Sequence, residues 1–224
     1  MTDARTVLLI HGGLWEDTGA DWFWRRTGIA DGLRQRGLTV LAPDRLRRAA
    51  SWPAEARHLA AVTAGPDAAV KPRSDDAGLT GLTGLTVVAG SFGCAAAARL
   101  VLDFPGLAGR LLLAWPASPA DAVTVRRVRA ALSEQGASPG VLDALLGGGT
   151  LPGTADAELT RLTIPVGIVP AVPPNPLHPR SAVDALLRRL PSAAELPGCP
   201  EAPQPEFAAR REVFLDAVTA FSGD

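Results

Sequence analysis

Short apolar runs alternating with helical patterns set the limits on what this chain can fold into. The runs are Thr6–Ile10 (TVLLI), 38–42 (LTVLA), 85–89 (LTVVA), 110–115 (RLLLAW), 164–169 (IPVGIV) and 193–196 (AAEL). Continuous runs of this kind fit strands buried on both faces of a parallel sheet. Helical patterns lie at 25–36, from Ser51 onward, and at 94–104, 181–190 and 206–221. Local punctuation agrees. Gly37 follows the first helical pattern, as a helix C-terminal glycine does. Ser51 suits an N-cap, with Pro53 in the first turn. Strands alternating with helices imply an α/β domain, a mostly parallel sheet of about six strands with helices on both faces.

The alternation breaks once. Residues 117–162 hold helical patterns near 123–135, 141–146 and 156–162 but no strand, the size of a small helical lid. The reading is therefore one domain over 1–224 with 117–162 as a lid insertion. Residues 65–83 read as a surface loop, and the short repeat LTGLTGLT beginning there is too small to be an architectural repeat.

Composition excludes several classes. The 224 residues carry a formal net charge of -1 and are 47% hydrophobic. That rules out a disordered chain and leaves no basic footprint for nucleic acid. Arg pairs such as Arg47-Arg48 and Arg188-Arg189 read as solvated helix faces. Cys94 and Cys199 give neither a disulfide framework nor a metal spacing. No two histidines have the i, i+4 spacing of a helical zinc site, so no metal is expected. The polar start at Met1 to Arg5 and the short run 7–10 do not make a signal segment. No run approaches the ~18 apolar residues of a membrane span. The expectation is a soluble cytoplasmic protein with no nucleic-acid or membrane partner and an undetermined oligomeric state.

The chemistry concentrates at Ala89-Gly90-Ser91-Phe92-Gly93, where a strand turns directly into an Ala-rich helix. Strand, small-x-Ser-x-Gly, helix is the nucleophile-elbow context. The tight turn needs small residues two before and two after the serine, and Ala89 and Gly93 are small. It presents the Ser91 hydroxyl at the carboxyl end of the sheet and the Phe92 N–H toward an oxyanion. A second donor is expected from His11-Gly12-Gly13 after the first strand, with Gly13 favoured and Leu14 in reserve. His11 is expected to hold that loop by hydrogen bonds.

With HGG after the first strand, AGSFG at the elbow, a helical insertion after RLLLAWP and a closing strand and helix, the chain resembles the α/β-hydrolase fold family over nearly its whole length. The resemblance implies a nucleophile at Ser91, an oxyanion hole at Gly13 and Phe92, and chemistry without a cofactor. The remaining triad positions depart from the family pattern. Asn175, in PPNPLHP, falls where the resemblance places the acid. Glu201, in LPGCPEAP, falls where it places the histidine, and no histidine follows His178. Losing a triad base costs roughly 10⁶ in kcat, about 8 kcal/mol. An ordinary Ser-His-Asp mechanism therefore cannot be assigned. Three replacements are open: Glu201 as base, His178 swung toward Ser91, or His58 entering from its helix. The resemblance places the loop of His178 beside the base rather than beside the serine, which favours Glu201.

Trp15 and Trp115 fall at the carboxyl ends of strands, where ligands of parallel sheets bind. With Leu14 they are expected to wall a pocket for a small apolar or aromatic substrate. Two classes of function follow. One is an esterase or thioesterase type of acyl chemistry at Ser91 with an altered triad. The other is a non-hydrolytic relative, either cyclase-like or lyase-like, or a ligand-binding or regulatory protein without turnover.

Overall fold

A computed structural model describes residues 5–64, 84–119 and 121–223. The loop expected over 65–83 lies outside the described residues. Six strands form one sheet: β1 (Thr6–Ile10), β2 (Thr39–Leu41), β3 (Leu85–Gly90), β4 (Ala108–Ala114), β5 (Val166–Val169) and β6 (Ala193–Glu195). Their order is β2-β1-β3-β4-β5-β6, and every pairing is parallel. The chain steps outward from β1 to β2, then returns to build on the other side from β3. The carboxyl ends of β1 and β3 therefore flank the topological switch point, where open α/β sheets bind their ligands.

The two-residue period of a strand divides the core. Leu8, Ile10, Val87, Ala89, Leu111 and Leu113 face one layer, while Val7, Leu9, Val88, Leu112 and Ala114 face the other. The first layer receives α2 (Trp52–Ala64) and α3 (Gly93–Asp103), with α4 (Ala122–Glu134), α5 (Pro139–Leu146), α6 (Asp156–Leu159) and α7 (Arg180–Arg189). The second receives α1 (Ile29–Gln35), α8 (Arg211–Phe221) and two short turns, π-helical at Asp21–Arg25 and 3-10 at Pro205–Arg210.

Two helices expected as single elements are divided. The pattern over 25–36 is broken by Gly28, whose φ of 77° is a left-handed conformation that glycine adopts without steric cost. The closing pattern over 206–221 begins as the 3-10 turn, and α8 starts only at Arg211. The segment 117–162 supplies α4, α5 and α6 as expected. Asp121 caps α4 by accepting from the Val123 and Thr124 N–H groups, and Ser138 caps α5. The Trp52 indole N–H donates to the Leu145 carbonyl at 3.0 Å, tying α5 to α2.

The elbow depends on a close approach of α3 to β1. A Cβ at Gly93 would stand 2.5 Å from the His11 carbonyl oxygen and 2.7 Å from that of Ile10. Both are backbone atoms that cannot move aside. Gly93→Ala is therefore expected to lower unfolding free energy by about 1–3 kcal/mol, despite the better helix propensity of alanine. Gly140, in the first turn of α5, has nothing within 4 Å of its Cβ position. Gly140→Ala should be neutral or slightly stabilising in the same urea titration, and equal midpoints for the two variants would contradict the packing argument.

Candidate active site

Ser91 closes β3 with a φ of 52°, a left-handed conformation that costs an L-residue roughly 1–2 kcal/mol. The turn is held by the Ser91 N–H donating to the Ala114 carbonyl and by the Cys94 N–H donating to that of Ser91, both at 3.0 Å. Gly12 passes so close that a Cβ there would stand 2.9 Å from the Ser91 Cβ. Phe92 precedes the first residue of α3, and among the described residues no hydrogen bond takes up its N–H. The loop after β1 and the elbow after β3 thus meet at the switch point.

The loop itself is held from the far side. The His11 Nδ1 lies 2.8 Å from the Gly12 carbonyl oxygen, and its Nε2 accepts from the Arg45 N–H at 3.1 Å. Burial, then the Arg45 charge, pushes the His11 pKa down to about 4. A neutral, doubly bonded imidazole is the loop-holding role expected for it. Arg45 does more than the sequence suggested. Its Nη1 donates to the carbonyls of His11 at 3.0 Å, Gly12 at 3.3 Å and Gly13 at 2.8 Å. Its other two nitrogens meet both oxygens of Glu55, at 2.6 and 3.1 Å. Glu55 is wholly buried. The available signal was an acid in the first turn of the helix ten residues on, which resembles ordinary helix charging.

One partner of the Ser91 hydroxyl is His178, on the loop after β5. Its Nε2 lies 2.9 Å from the Ser91 Oγ, and both side chains are buried. The other face of the ring meets Asn175, whose Nδ2 lies 3.2 Å from the His178 Nδ1. The orientation of that amide is set by its oxygen, which accepts from the Leu177 and His178 N–H groups, both at 2.9 Å. The Asn175 NH₂ must therefore donate, which makes Nδ1 an acceptor and puts the ring proton on Nε2. His178 then donates to the Ser91 Oγ instead of accepting from it. Burial holds its pKa down at about 4, so the ring is neutral around pH 7.

Glu201 joins the pair from the loop after β6. Its Oε2 lies 3.7 Å from the His178 Nδ1. Its carboxyl is pushed up to about 7, chiefly by burial. The Ser91 hydroxyl, close enough to favour the charged form, pulls it back, while the Glu16 carboxylate adds to the rise. The structure thus brings Ser91, His178, Asn175 and Glu201 together. Of the three replacements open in the sequence, the one with His178 turned toward Ser91 matches the geometry, and Asn175 is the partner of its ring. The missed signal was the spacing Asn175-x-x-His178, which lets one side chain bond both the turn backbone and the ring.

Trp115 is corrected. It also has a positive φ, of 49°, but it is fully buried on the second face. There it stacks on Phe214 with centroids 5.1 Å apart and donates its indole N–H to the Cys199 carbonyl at 2.9 Å. The left-handed backbone turns the ring into the core, and it lines no described cavity. Leu14 and Trp15 do line a cavity of about 390 Å³ between the loop after β1 and residues 44–49, with Glu16, Arg45 and Arg47 also in its wall. Ser91 is not among its lining residues. His58 is half-buried, bonds the Asp44 carbonyl and takes no part in the cluster. Among the described residues no group of three or more His, Cys, Asp or Glu could hold a metal ion, and no helix is long and apolar enough to cross a membrane.

No protein-family model and no curated protein matches the chain by sequence. Solved structures do match over nearly its full length. An α/β-hydrolase enzyme, MGS-MChE2, from the metagenome of sediments of the Mar Chica lagoon in Morocco, superposes with a TM-score of 0.61 at 18% identity, covering 96% of this chain and 92% of that one. A variant of the meta-cleavage product hydrolase CumD of Pseudomonas fluorescens IP01 gives 0.64 at 16% identity, over 98% and 90%. An extracellular α/β-hydrolase from a Paenibacillus species gives 0.62 at 15%, over 95% and 98%. The chain has the α/β-hydrolase fold.

The ring tautomer is open to measurement. Nitrogen-15 NMR of the His178 ring should show the proton on Nε2. Asn175→Asp replaces the donor facing Nδ1 with an acceptor of the same size. It should move the proton to Nδ1 and raise the His178 pKa above 4, because a carboxylate favours the charged ring. An unchanged tautomer in the variant would contradict the role given to the Asn175 amide.

Proposed function

We propose that this protein is a serine acyl hydrolase for a small apolar or aromatic ester or thioester, with Ser91 as nucleophile and Glu201 as its base. The observation that carries the reading is the buried Ser91 hydroxyl, 2.9 Å from the His178 Nε2 and flanked by the Glu201 carboxylate. Because Asn175 makes His178 a donor, the acceptor left for the Ser91 proton is Glu201. A carboxylate with a pKa near 7 suits a general base at neutral pH.

The Ser91 Oγ attacks the acyl carbonyl while its proton passes to Glu201. The oxyanion is met by the N–H groups of Phe92 and Gly13. Collapse breaks the ester bond, and the leaving oxygen or sulfur takes the proton back from Glu201. Water then attacks the acyl-enzyme and gives its proton to Glu201; collapse breaks the Ser91 Oγ–acyl bond, Oγ takes that proton back and the acid is released. His178 holds the Ser91 hydroxyl in position by its hydrogen bond. Similar solved structures that are hydrolases support hydrolysis as the class of chemistry.

A second reading makes His178 the base and Glu201 its acid partner, favoured by the 3.7 Å separation of Oε2 and Nδ1. It requires the other tautomer, so Asn175 would have to give up two hydrogen bonds of about 1 kcal/mol each or present its NH₂ to a ring N–H.

The two readings differ in pH dependence. A Glu201 base must be ionised, so kcat/KM for a p-nitrophenyl ester should rise with pH to a plateau above an inflection near 7. Glu201→Gln should remove the inflection and lower kcat/KM by about 10²–10⁴. An inflection near 4 that persists in the residual activity of Glu201→Gln would transfer the base role to His178. Absence of both ester turnover and fluorophosphonate labelling of Ser91 would reject acyl hydrolysis in favour of a non-hydrolytic member of the fold.

A further inference from the structure

We infer that Arg45, neutralised by Glu55, is a positioning residue that aims the N–H groups of the loop after β1 at the oxyanion. The inference rests on the acyl-transfer reading of Ser91. One guanidinium nitrogen, Nη1, meets three consecutive carbonyls, those of His11, Gly12 and Gly13, at 3.0, 3.3 and 2.8 Å. In a trans peptide the carbonyl of one residue and the N–H of the next point in opposite directions. The N–H groups of Gly12, Gly13 and Leu14 therefore point away from Arg45. Among the described residues no hydrogen bond takes up the Gly13 or Leu14 N–H. Gly13 has a φ of 81°, and successive N–H groups on such a backbone form an anion-binding concavity. Gly12 sets this loop against Ser91, since a Cβ there would stand 2.9 Å from the Ser91 Cβ.

Arg45 does not itself serve as the anion site. Its Nε and Nη2 are occupied by the two oxygens of Glu55, and its Nη1 by the three carbonyls. Its side chain is 4% exposed and that of Glu55 is 0% exposed. The planar fork is needed because it serves the carboxylate and the loop at once, which an ammonium group cannot do. The buried pair thus neutralises the carbonyl ends of the loop and leaves the N–H ends for the developing negative charge.

The test compares wild type with Arg45→Lys and with the paired variant Arg45→Met, Glu55→Met. Removing one member of a buried ion pair strands a charge, whereas replacing both with apolar residues of similar volume preserves folding. Melting temperature, kcat and KM for p-nitrophenyl acetate, and calorimetric affinity for phenylboronic acid are measured together. The boronic acid forms a tetrahedral adduct on a serine and places an oxygen in the oxyanion site without turnover. The paired variant should melt near wild type, lose at least tenfold in kcat with KM within threefold, and bind the boronic acid at least tenfold more weakly. Arg45→Lys should shift in the same direction, and it carries the comparison if the paired variant does not fold. A folded variant with kcat and boronic-acid affinity within twofold of wild type overturns the inference. A wild type that binds the boronic acid but turns over no ester refutes the acyl-transfer reading alone, and the affinities still decide the role of Arg45. A wild type that binds no boronic acid overturns the inference.

Discussion

The structure turns on the distance between the end of β1 and the start of α3. Gly93 lets the helix begin against the Ile10 and His11 carbonyls, and Gly12 lets the returning loop pass over the Ser91 Cβ. Gly90 does the same toward the Phe23 ring, which would meet a Cβ there at 2.6 Å. With three side chains absent, the strained Ser91 backbone is enclosed on all these sides. Strain of this kind persists only where the surroundings over-determine it. The sheet supplies the rest: β3 is buried along its whole length, and β1 and β4 pair with it up to the turn, β4 with one register shift at the start, between Leu85 and Thr86.

Much of this is legible from residue order. The apolar runs mark β1, β3, β4 and β5 because a strand covered on both faces has no polar face to disguise it, while the short edge strands β2 and β6 are marked by their place in the alternation. The elbow is legible because its turn admits few residue types. What escapes is anything decided across the sheet. Trp115 lies at the end of a strand, as a pocket residue would, but its φ sends the ring into the opposite layer, and no local pattern reports φ for a tryptophan. Arg45 reads as one more charge in an arginine-rich chain until its three carbonyl partners are seen. His178 is legible as one of three replacements, but the resemblance puts its loop beside the base position and so favours Glu201. Its bond to Asn175 depends on the turn PPNPLHP, which residue order alone does not report.

The resulting cluster inverts a familiar division of labour. A histidine stands on the loop after β5 and a carboxylate on the loop after β6, each where the resemblance implies the other. The electrostatics follow burial. His178 loses its affinity for a proton and Glu201 gains it, so the carboxyl becomes the more basic group of the two. An amide beside the ring has the same effect on the tautomer as replacing the aspartate of a serine-protease triad with asparagine, where the proton is left on the wrong nitrogen. Here the Glu201 carboxylate stands 3.7 Å from the other ring nitrogen, Nδ1.

The four loops that meet at Ser91 are far apart along the chain, with Ser91 and His178 separated by 87 residues. Contacts of that span form only after the intervening loop has been closed, which makes them late events in folding. The local helices α2 and α3 can form without any part of the cluster other than Ser91 itself. The loop of His178 reaches the serine only when β5 has docked on β4, and Glu201 arrives only when β6 has docked on β5. The cluster around Ser91 is therefore a product of the completed sheet rather than of any one local segment.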